Sequence, residues 1–269
     1  MICFPNAKIN IGLVNRGLRD DGYHEIRSTI YPISICDSLE IVRGGAGKKK
    51  LELLTTGIEM DGNDNLCMKA YEMLDLEFNL GSVQMHLHKV IPIGAGLGGG
   101  SADASNTILM LNEIFELGLT EDKMKSLSSQ LGSDCPFFIG NEPAIVTGRG
   151  DELKRTELNL EGHFLVLVYP DIHINTAEAY KQIQSSKKSG SIDPLNENIE
   201  NWRDSIFNDF EDFVFSSFPE IGKIKSALYN SGAIYASLSG SGSSVYGIFT
   251  RVTDLKAQFE NHTVWNIPL

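Results

Sequence analysis

Concentrated positive charge is the first thing this sequence lacks. Lys plus Arg number 23 against 35 Asp plus Glu, a net charge of −12. No basic footprint of the kind that nucleic-acid backbone binding requires is present, so nucleic acid is excluded as a general partner. The only dense basic run, Lys48-Lys49-Lys50, follows Gly44-Gly45-Ala46-Gly47 and reads as a solvated hairpin tip. Cysteine is scarce as well. Cys3, Cys36, Cys67 and Cys135 lie far apart with no C-x-x-C spacing, which argues against both a thiolate zinc site and a disulfide framework. No apolar run reaches membrane-spanning length and no signal-peptide pattern is found; the expectation is a soluble, cytoplasmic protein with no membrane partner. What is present is enough for a real core. With 269 residues and 42% hydrophobic content, the chain suits one large domain or two of ordinary size.

Glycine, by contrast, is concentrated. Pro92-Ile-Gly-Ala-Gly-Leu-Gly-Gly-Gly-Ser101 places five glycines between Gly94 and Gly100. Without Cβ atoms, backbone N–H groups can converge on one point. Ala104, Ile108, Leu111 and Phe115 then follow at helical spacing. A glycine loop feeding a helix N-terminus is an anion site, through unpaired N–H groups and through the helix dipole. Phosphate is the natural ligand. Gly94, Gly96 and Gly99 satisfy G-x-G-x-x-G, yet the acidic residue that a dinucleotide site needs about 20 residues on is missing, and no Lys-Ser/Thr closes a P-loop.

In chain order, Ile2 to Leu13 reads as a strand. Lys8 and Asn10 share one of its faces and by themselves read as a solvent-facing pair. Asp20-Asp21-Gly22 is a turn before a β-rich stretch through Ile41, and Leu51 to Thr55 continues the strand pattern. Asp61-Gly62-Asn63-Asp64-Asn65 is a second turn, ahead of a short helix marked by Leu66, Ala70 and Leu74. Val83 to Lys89 alternates as a strand; His86 and His88 share a face but have no third ligand, so they read as a polar sheet face. A helix over about 123–130 leads to Leu131-Gly-Ser-Asp-Cys-Pro-Phe-Phe138, where Asp134 is either a turn former or a catalytic carboxylate. Thr156 to Gly162 is a polar connector, and Phe164 to Tyr169 is a buried strand that begins a second domain. Ser185 to Ser191 is a polar loop, Ile221, Ile224 and Leu228 form a helix face, and Ser239-Gly-Ser-Gly242 is a second glycine loop ahead of a strand.

Three of these segments, Pro5-x-Ala7-Lys8-x-Asn10, Pro92-x-x-x-Gly96-Leu97-Gly98-Gly99-Gly100-Ser101 and Ser239-Gly240-Ser241-Gly242, resemble in order the three motifs of the GHMP kinases. Asp21-Gly22-Tyr23-His24, Asp64-Asn65-Leu66, Leu131 to Phe137 and Asn208-Asp209-Phe210-Glu211 narrow the likeness to members acting on a cytidine diphosphate alcohol, a small-molecule substrate. The likeness spans about residues 5 to 250. Ala95 and Ser133 depart from the usual glycine and alanine, and the tail after Thr250 looks short.

The resemblance implies an α+β, two-domain GHMP kinase fold. It comprises an N-terminal ribosomal-protein-S5-like α/β domain over residues 1–155 and a C-terminal ferredoxin-like α+β domain over 156–269, with the active site in the cleft between them. It implies ATP and Mg²⁺ as cofactors, and leaves the oligomeric state open. Asn65 and Lys89 match positions that contact adenine; Pro92, Gly94, Gly96, Leu97, Gly98, Gly99, Gly100 and Ser101 would cradle the phosphates, Ser101 also serving as a metal ligand. Lys8 and Asp134 match the catalytic pair, and Asn10, Tyr23, His24, Thr176, Tyr180 and Gly240 would bind substrate. Tyr23 and Tyr180, from opposite domains, are expected to sandwich a cytosine ring, with His24 reading its polar edge. The alternatives are a mevalonate- or homoserine-type kinase, a non-catalytic GHMP-fold ligand-binding protein, and an NAD-dependent oxidoreductase on the literal glycine pattern.

Overall fold

In a computed structural model the chain is described except at residues 46–48, 61–64, 184–193, 195 and 196. The basic run from Lys48, the turn from Asp61 to Asp64 and the loop from Ser185 to Ser191 therefore lie wholly or partly outside the described residues. Contacts group the chain into two compact units. The first comprises Met1–Ala7, Ser34–Ile93 and Gly98–Glu142; the second comprises Lys8–Ile33, Gly94–Leu97 and Pro143–Leu269.

In the first unit the strands β1 (Ile2–Cys3), β4 (Ser38–Arg43), β5 (Leu51–Gly57) and β6 (Val83–Lys89) form a sheet in the order β1-β4-β6-β5. β4 runs antiparallel to β6 and β5 parallel to it. Alternation in β6 buries Val83, Met85, Leu87 and Lys89 on one side, which is the period of a half-covered sheet. Against that side pack α1 (Leu66–Phe78) and α2 (Gly99–Ile114), whose Cys67, Ala70, Leu74, Ile108 and Leu111 join the strand residues in one apolar cluster. His86 Nε2 and His88 Nδ1 lie 2.9 and 3.0 Å from Thr56 Oγ1 on the exposed face. Among the described residues no group of three metal-ligating side chains occurs. α3 (Glu121–Ser128) and α4 (Cys135–Gly140) complete the unit.

The second unit carries two sheets. One, in the order β2-β3-β7-β8, is built from β2 (Asn6–Leu18), β3 (His24–Cys36), β7 (Ala144–Thr147) and β8 (Glu152–Arg155), strand ends aside. The other, in the order β10-β11-β9-β12, is antiparallel throughout and contains β9 (Phe164–Tyr169), β10 (Tyr235–Leu238), β11 (Val245–Phe249) and β12 (Thr263–Pro268). β9 is the continuous apolar run read from the sequence; it is flanked by β11 and β12, and Leu165 to Val168 are buried. The segment after Thr250 supplies β12, an edge strand the sequence pattern did not mark. Of the helices α5 (Thr176–Gln182), α6 (Trp202–Ser205), α7 (Phe210–Ser217) and α8 (Pro219–Asn230), α7 and α8 contribute Phe210, Val214, Ile221, Ile224 and Leu228 to the core. Among the described residues no helix is long and apolar enough to cross a membrane.

Candidate active site

The first unit holds the helix end of the glycine stretch. Gly98 is the N-cap of α2 with φ +70°; no side chain caps the helix and no acidic residue occupies its first turn. The leading N–H groups therefore have no side-chain acceptor from the cap, which suits an anion. Gly99 has a steric reason to be glycine: a Cβ there would fall 2.8 Å from Lys89 Nζ and 2.8 Å from Ile91 Cγ2.

Lys89 is almost fully buried, and its ammonium is committed to two carboxylates. It donates to Asp37 Oδ2, and to Asp103 Oδ2 at 2.8 Å. Asp37 Oδ1 in turn accepts from the backbone N–H groups of Val90 (2.6 Å) and Ile91 (2.8 Å). Strand β6 is thus tied to the start of α2 through a buried Asp–Lys–Asp triad. Burial pushes the Asp103 carboxyl up to about 7 despite the opposing pull of Lys89, and Asp37 adds to the rise. Burial disfavours the Lys89 charge, but the two carboxylates outweigh it and hold the ammonium above its ordinary range. Nothing in the local sequence marks Asp37 or Asp103; their pairing is made only by the fold.

Asn65 caps α1, its side-chain oxygen accepting from Cys67 N–H at 2.8 Å. Asp134 is the half-buried residue ahead of α4, with Pro136 in that helix's first turn and no side-chain cap bond made by Asp134. The turn that carries it packs on α2: Ser105 Oγ donates to Cys135 O at 2.7 Å, and a Cβ on Gly132 would stand 3.7 Å from Ser101 Oγ. Within this unit the structure brings Ser101 beside the turn bearing Asp134.

In the second unit three sequence-distant motifs interlock. Lys8 and Asn10 are buried, not solvent-facing as their bare alternation suggests. Lys8 N–H donates to Leu97 O at 2.9 Å, and its Nζ donates to Asn10 Oδ1 at 2.6 Å. Ser239 Oγ donates to Gly96 O at 2.8 Å, and Tyr246 OH to Asn10 O at 2.8 Å. Gly96 has φ +78°, and a Cβ on it would sit 2.0 Å from Ser239 O, so the approach of the two glycine loops permits no side chain. Gly240 backs onto Asn10 Oδ1 and Gly96, and Thr176 Oγ1 lies 3.1 Å from Ser241 Oγ.

Asn208-Asp209-Phe210-Glu211 explains how that cradle is held. Asn208 Nδ2 donates to Leu238 O (2.9 Å) and Gly240 O (2.8 Å), and Glu211 Oε1 accepts from Leu238 N–H at 3.0 Å. Leu13 N–H donates to Phe207 O and Asp209 N–H to Leu13 O, each at 2.8 Å, so the motif is zipped to β2. Tyr23 is 56% exposed, with the Arg149 guanidinium 5.0 Å over its ring. His24 lies beside Tyr180 with ring centroids 5.5 Å apart, and Tyr180 meets Phe210 edge-on at 4.9 Å. Tyr23, His24 and Tyr180 belong to the same compact unit, although they stand in different halves of the sequence.

The first unit offers an uncapped helix end for an anion and a carboxylate in a motif position; the second offers a lysine in a motif position and an aromatic corner. The model of the GHMP kinases N terminal domain matches residues 65–142, and that of the GHMP kinases C terminal domain matches 180–263. A 4-diphosphocytidyl-2-C-methyl-D-erythritol kinase of Bacteroides thetaiotaomicron is 46% identical over 252 residues, covering 93% of this chain and 92% of its own. A crystal structure of a 4-(cytidine 5′-diphospho)-2C-methyl-D-erythritol kinase superposes with a TM-score of 0.84 at 27% identity, over 99% of this chain and 98% of its own. Mevalonate kinase of Methanococcus jannaschii shares the fold, with a TM-score of 0.76 at 14% identity over 100% and 98% of the two chains. This chain belongs to the GHMP kinases, in the family of the 4-diphosphocytidyl-2-C-methyl-D-erythritol kinases.

Proposed function

We propose that the chain transfers the γ-phosphoryl group of ATP to the 2-hydroxyl of 4-diphosphocytidyl-2-C-methyl-D-erythritol, in isoprenoid precursor synthesis and in the cytoplasm. The observation that carries the reading is the uncapped, acid-free N-terminus of α2 behind Gly98, in a chain with these relatives. Its N–H groups and those of the preceding glycines, with Pro92 and Leu97 shaping the turn, would hold the triphosphate. Asn65 and Lys89 occupy the positions that contact adenine in the family, and here both also brace the local fold.

Lys8 and Asp134 take the catalytic roles by their motif positions. Asp134 would accept the proton of the attacking hydroxyl, and Lys8 would offset developing negative charge. Phosphoryl transfer is largely dissociative, so alignment and neutralisation weigh more than the strength of the base. Ser101, whose hydroxyl stands beside the turn that carries Asp134, would be the protein ligand of a Mg²⁺. That ion would neutralise phosphate charge. Asn10, Thr176 and Gly240 would face the substrate, Tyr23 and Tyr180 would flank the cytosine, and His24 would read its edge.

The test is whether the cytidine-containing alcohol, and not mevalonate or homoserine, drives ADP formation. Asp134→Asn should lower turnover about 10²–10⁴-fold with substrate affinity kept, and Lys8→Ala should be comparably severe without adding to it. Near-normal turnover in a folded Asp134→Asn variant would remove that residue from the mechanism.

A further inference from the structure

We propose that Asn15, a buried residue of β2, determines which face of its hydrogen-bonding chemistry His24 presents, and thereby selects an amino-bearing base, cytosine over uracil. The inference rests on the reading above, in which a pyrimidine lies against Tyr180 and His24.

Asn15 is 1% exposed. Its Oδ1 accepts from Gly17 N–H at 3.1 Å and lies 3.1 Å from His24 Nδ1. Its own backbone N–H donates to Asp209 Oδ2 at 2.8 Å, which fixes the strand position. A backbone N–H can only donate, so the amide atom facing Gly17 is the oxygen and the amide cannot be turned round. The same oxygen then faces His24, and Nδ1 must be the donor. In a neutral imidazole that leaves Nε2 as a bare acceptor. Among the described residues Nε2 has no partner, while the ring lies 5.5 Å from Tyr180. An acceptor at that point pairs with the exocyclic amine of cytosine and opposes the carbonyl oxygen that uracil carries there.

A second observation points the same way. Asn15 Nδ2 is buried with no hydrogen-bond partner among the described residues. An orphaned buried donor is costly, and a hydrocarbon side chain would avoid the cost. Retaining the amide is accounted for by its oxygen, the only end of the group in use. Asn15 is therefore a positioning residue that acts on the substrate through His24.

Nitrogen-15 NMR of the imidazole groups in the full chain, at alkaline pH, reads the tautomer directly. Wild-type His24 should carry its proton on Nδ1, and a proton on Nε2 overturns the proposal without any variant. Asn15→Leu should release the ring to the other tautomer, and Asn15→Asp, which keeps an acceptor in place, should not. The ratio of kcat/KM for the cytidine diphosphate alcohol to that for its uridine counterpart should fall about 5- to 150-fold in Asn15→Leu, the range for one mispaired polar contact. An unchanged ratio with a changed tautomer overturns the proposal and leaves the cytidine assignment standing. If wild type prefers neither nucleotide over a plain alcohol, the cytidine reading itself fails and the proposal falls with it.

Discussion

Beneath α2 the support is ionic: Lys89 is closed in by Asp37 and Asp103, all three nearly inaccessible to water. Around Gly96 and Gly240 the support is mainly neutral, made by Ser239, Tyr246 and Asn208 through side-chain hydrogen bonds to backbone carbonyls. Each unit thus stabilises its share of one glycine stretch, but the two supports fail differently. A buried ion cluster is costly to assemble and very costly to leave half complete. A neutral network is cheaper to breach, because each missing bond exposes only one uncharged group. The same need for backbone N–H groups is met with charged groups at the helix end and with neutral ones at the loop.

The sharpest way to break the comparison is Lys89→Met. Two buried carboxylates would lose their counter-charge, and we expect a loss of about 3–5 kcal/mol in denaturant unfolding. A loss no larger than that of the neutral-network variant would show that the triad is not the stronger brace. Asn208→Ala is that second variant. It removes a donor from the carbonyls of Leu238 and Gly240, with an expected cost of about 1–3 kcal/mol. In that variant substrate KM should rise while ATP affinity holds, because the nucleotide phosphates are assigned to the other glycine segment. Equal loss of both would erase the distinction between the two supports.

The smallest effect concerns pH. Asp103 is raised from 3.8 to about 7 in the folded chain, so the folded state holds this proton more tightly than the unfolded one. Its stabilising contribution is complete below the ordinary carboxylate range and is lost as pH rises through the folded value. The melting-temperature difference between wild type and Asp103→Asn should therefore shift against wild type between pH 3.8 and about 7. A difference independent of pH would mean that Asp103 stays ionised beside Lys89. Asn208 carries no titratable group, so the difference between wild type and Asn208→Ala should show no such slope.

Much of the frame was legible in the chain. The strand Phe164–Tyr169 could be read from an unbroken apolar run, β6 from strict alternation, and α2 from spacings of three and four after the glycines. Local rules suffice there because each pattern fits one backbone period. The family's motifs, with Lys8, Gly96, Asp134 and Gly240 in them, could be located by resemblance. Lys8 and Asn10 were not legible as buried residues, since alternation alone gives two sides of a strand without saying which is covered. β12 escaped for a related reason: Thr263–Pro268 is an edge strand with little of its surface enclosed, and it carries no strong hydrophobic signature.

The sequence by itself determined the glycine cradle, the order of the three motifs and the apolar periods of the core, all properties of neighbours along the chain. Tertiary structure alone decided that Asp37, Lys89 and Asp103 share one buried site across as many as 66 positions, shown by Asp37 and Asp103 meeting the same ammonium. It alone decided that Asn15 faces Gly17 and His24 with its oxygen. The physical reason is the same in both cases. Burial removes water as a competing partner, so a polar group takes its state from whatever donor or charge the fold places opposite it.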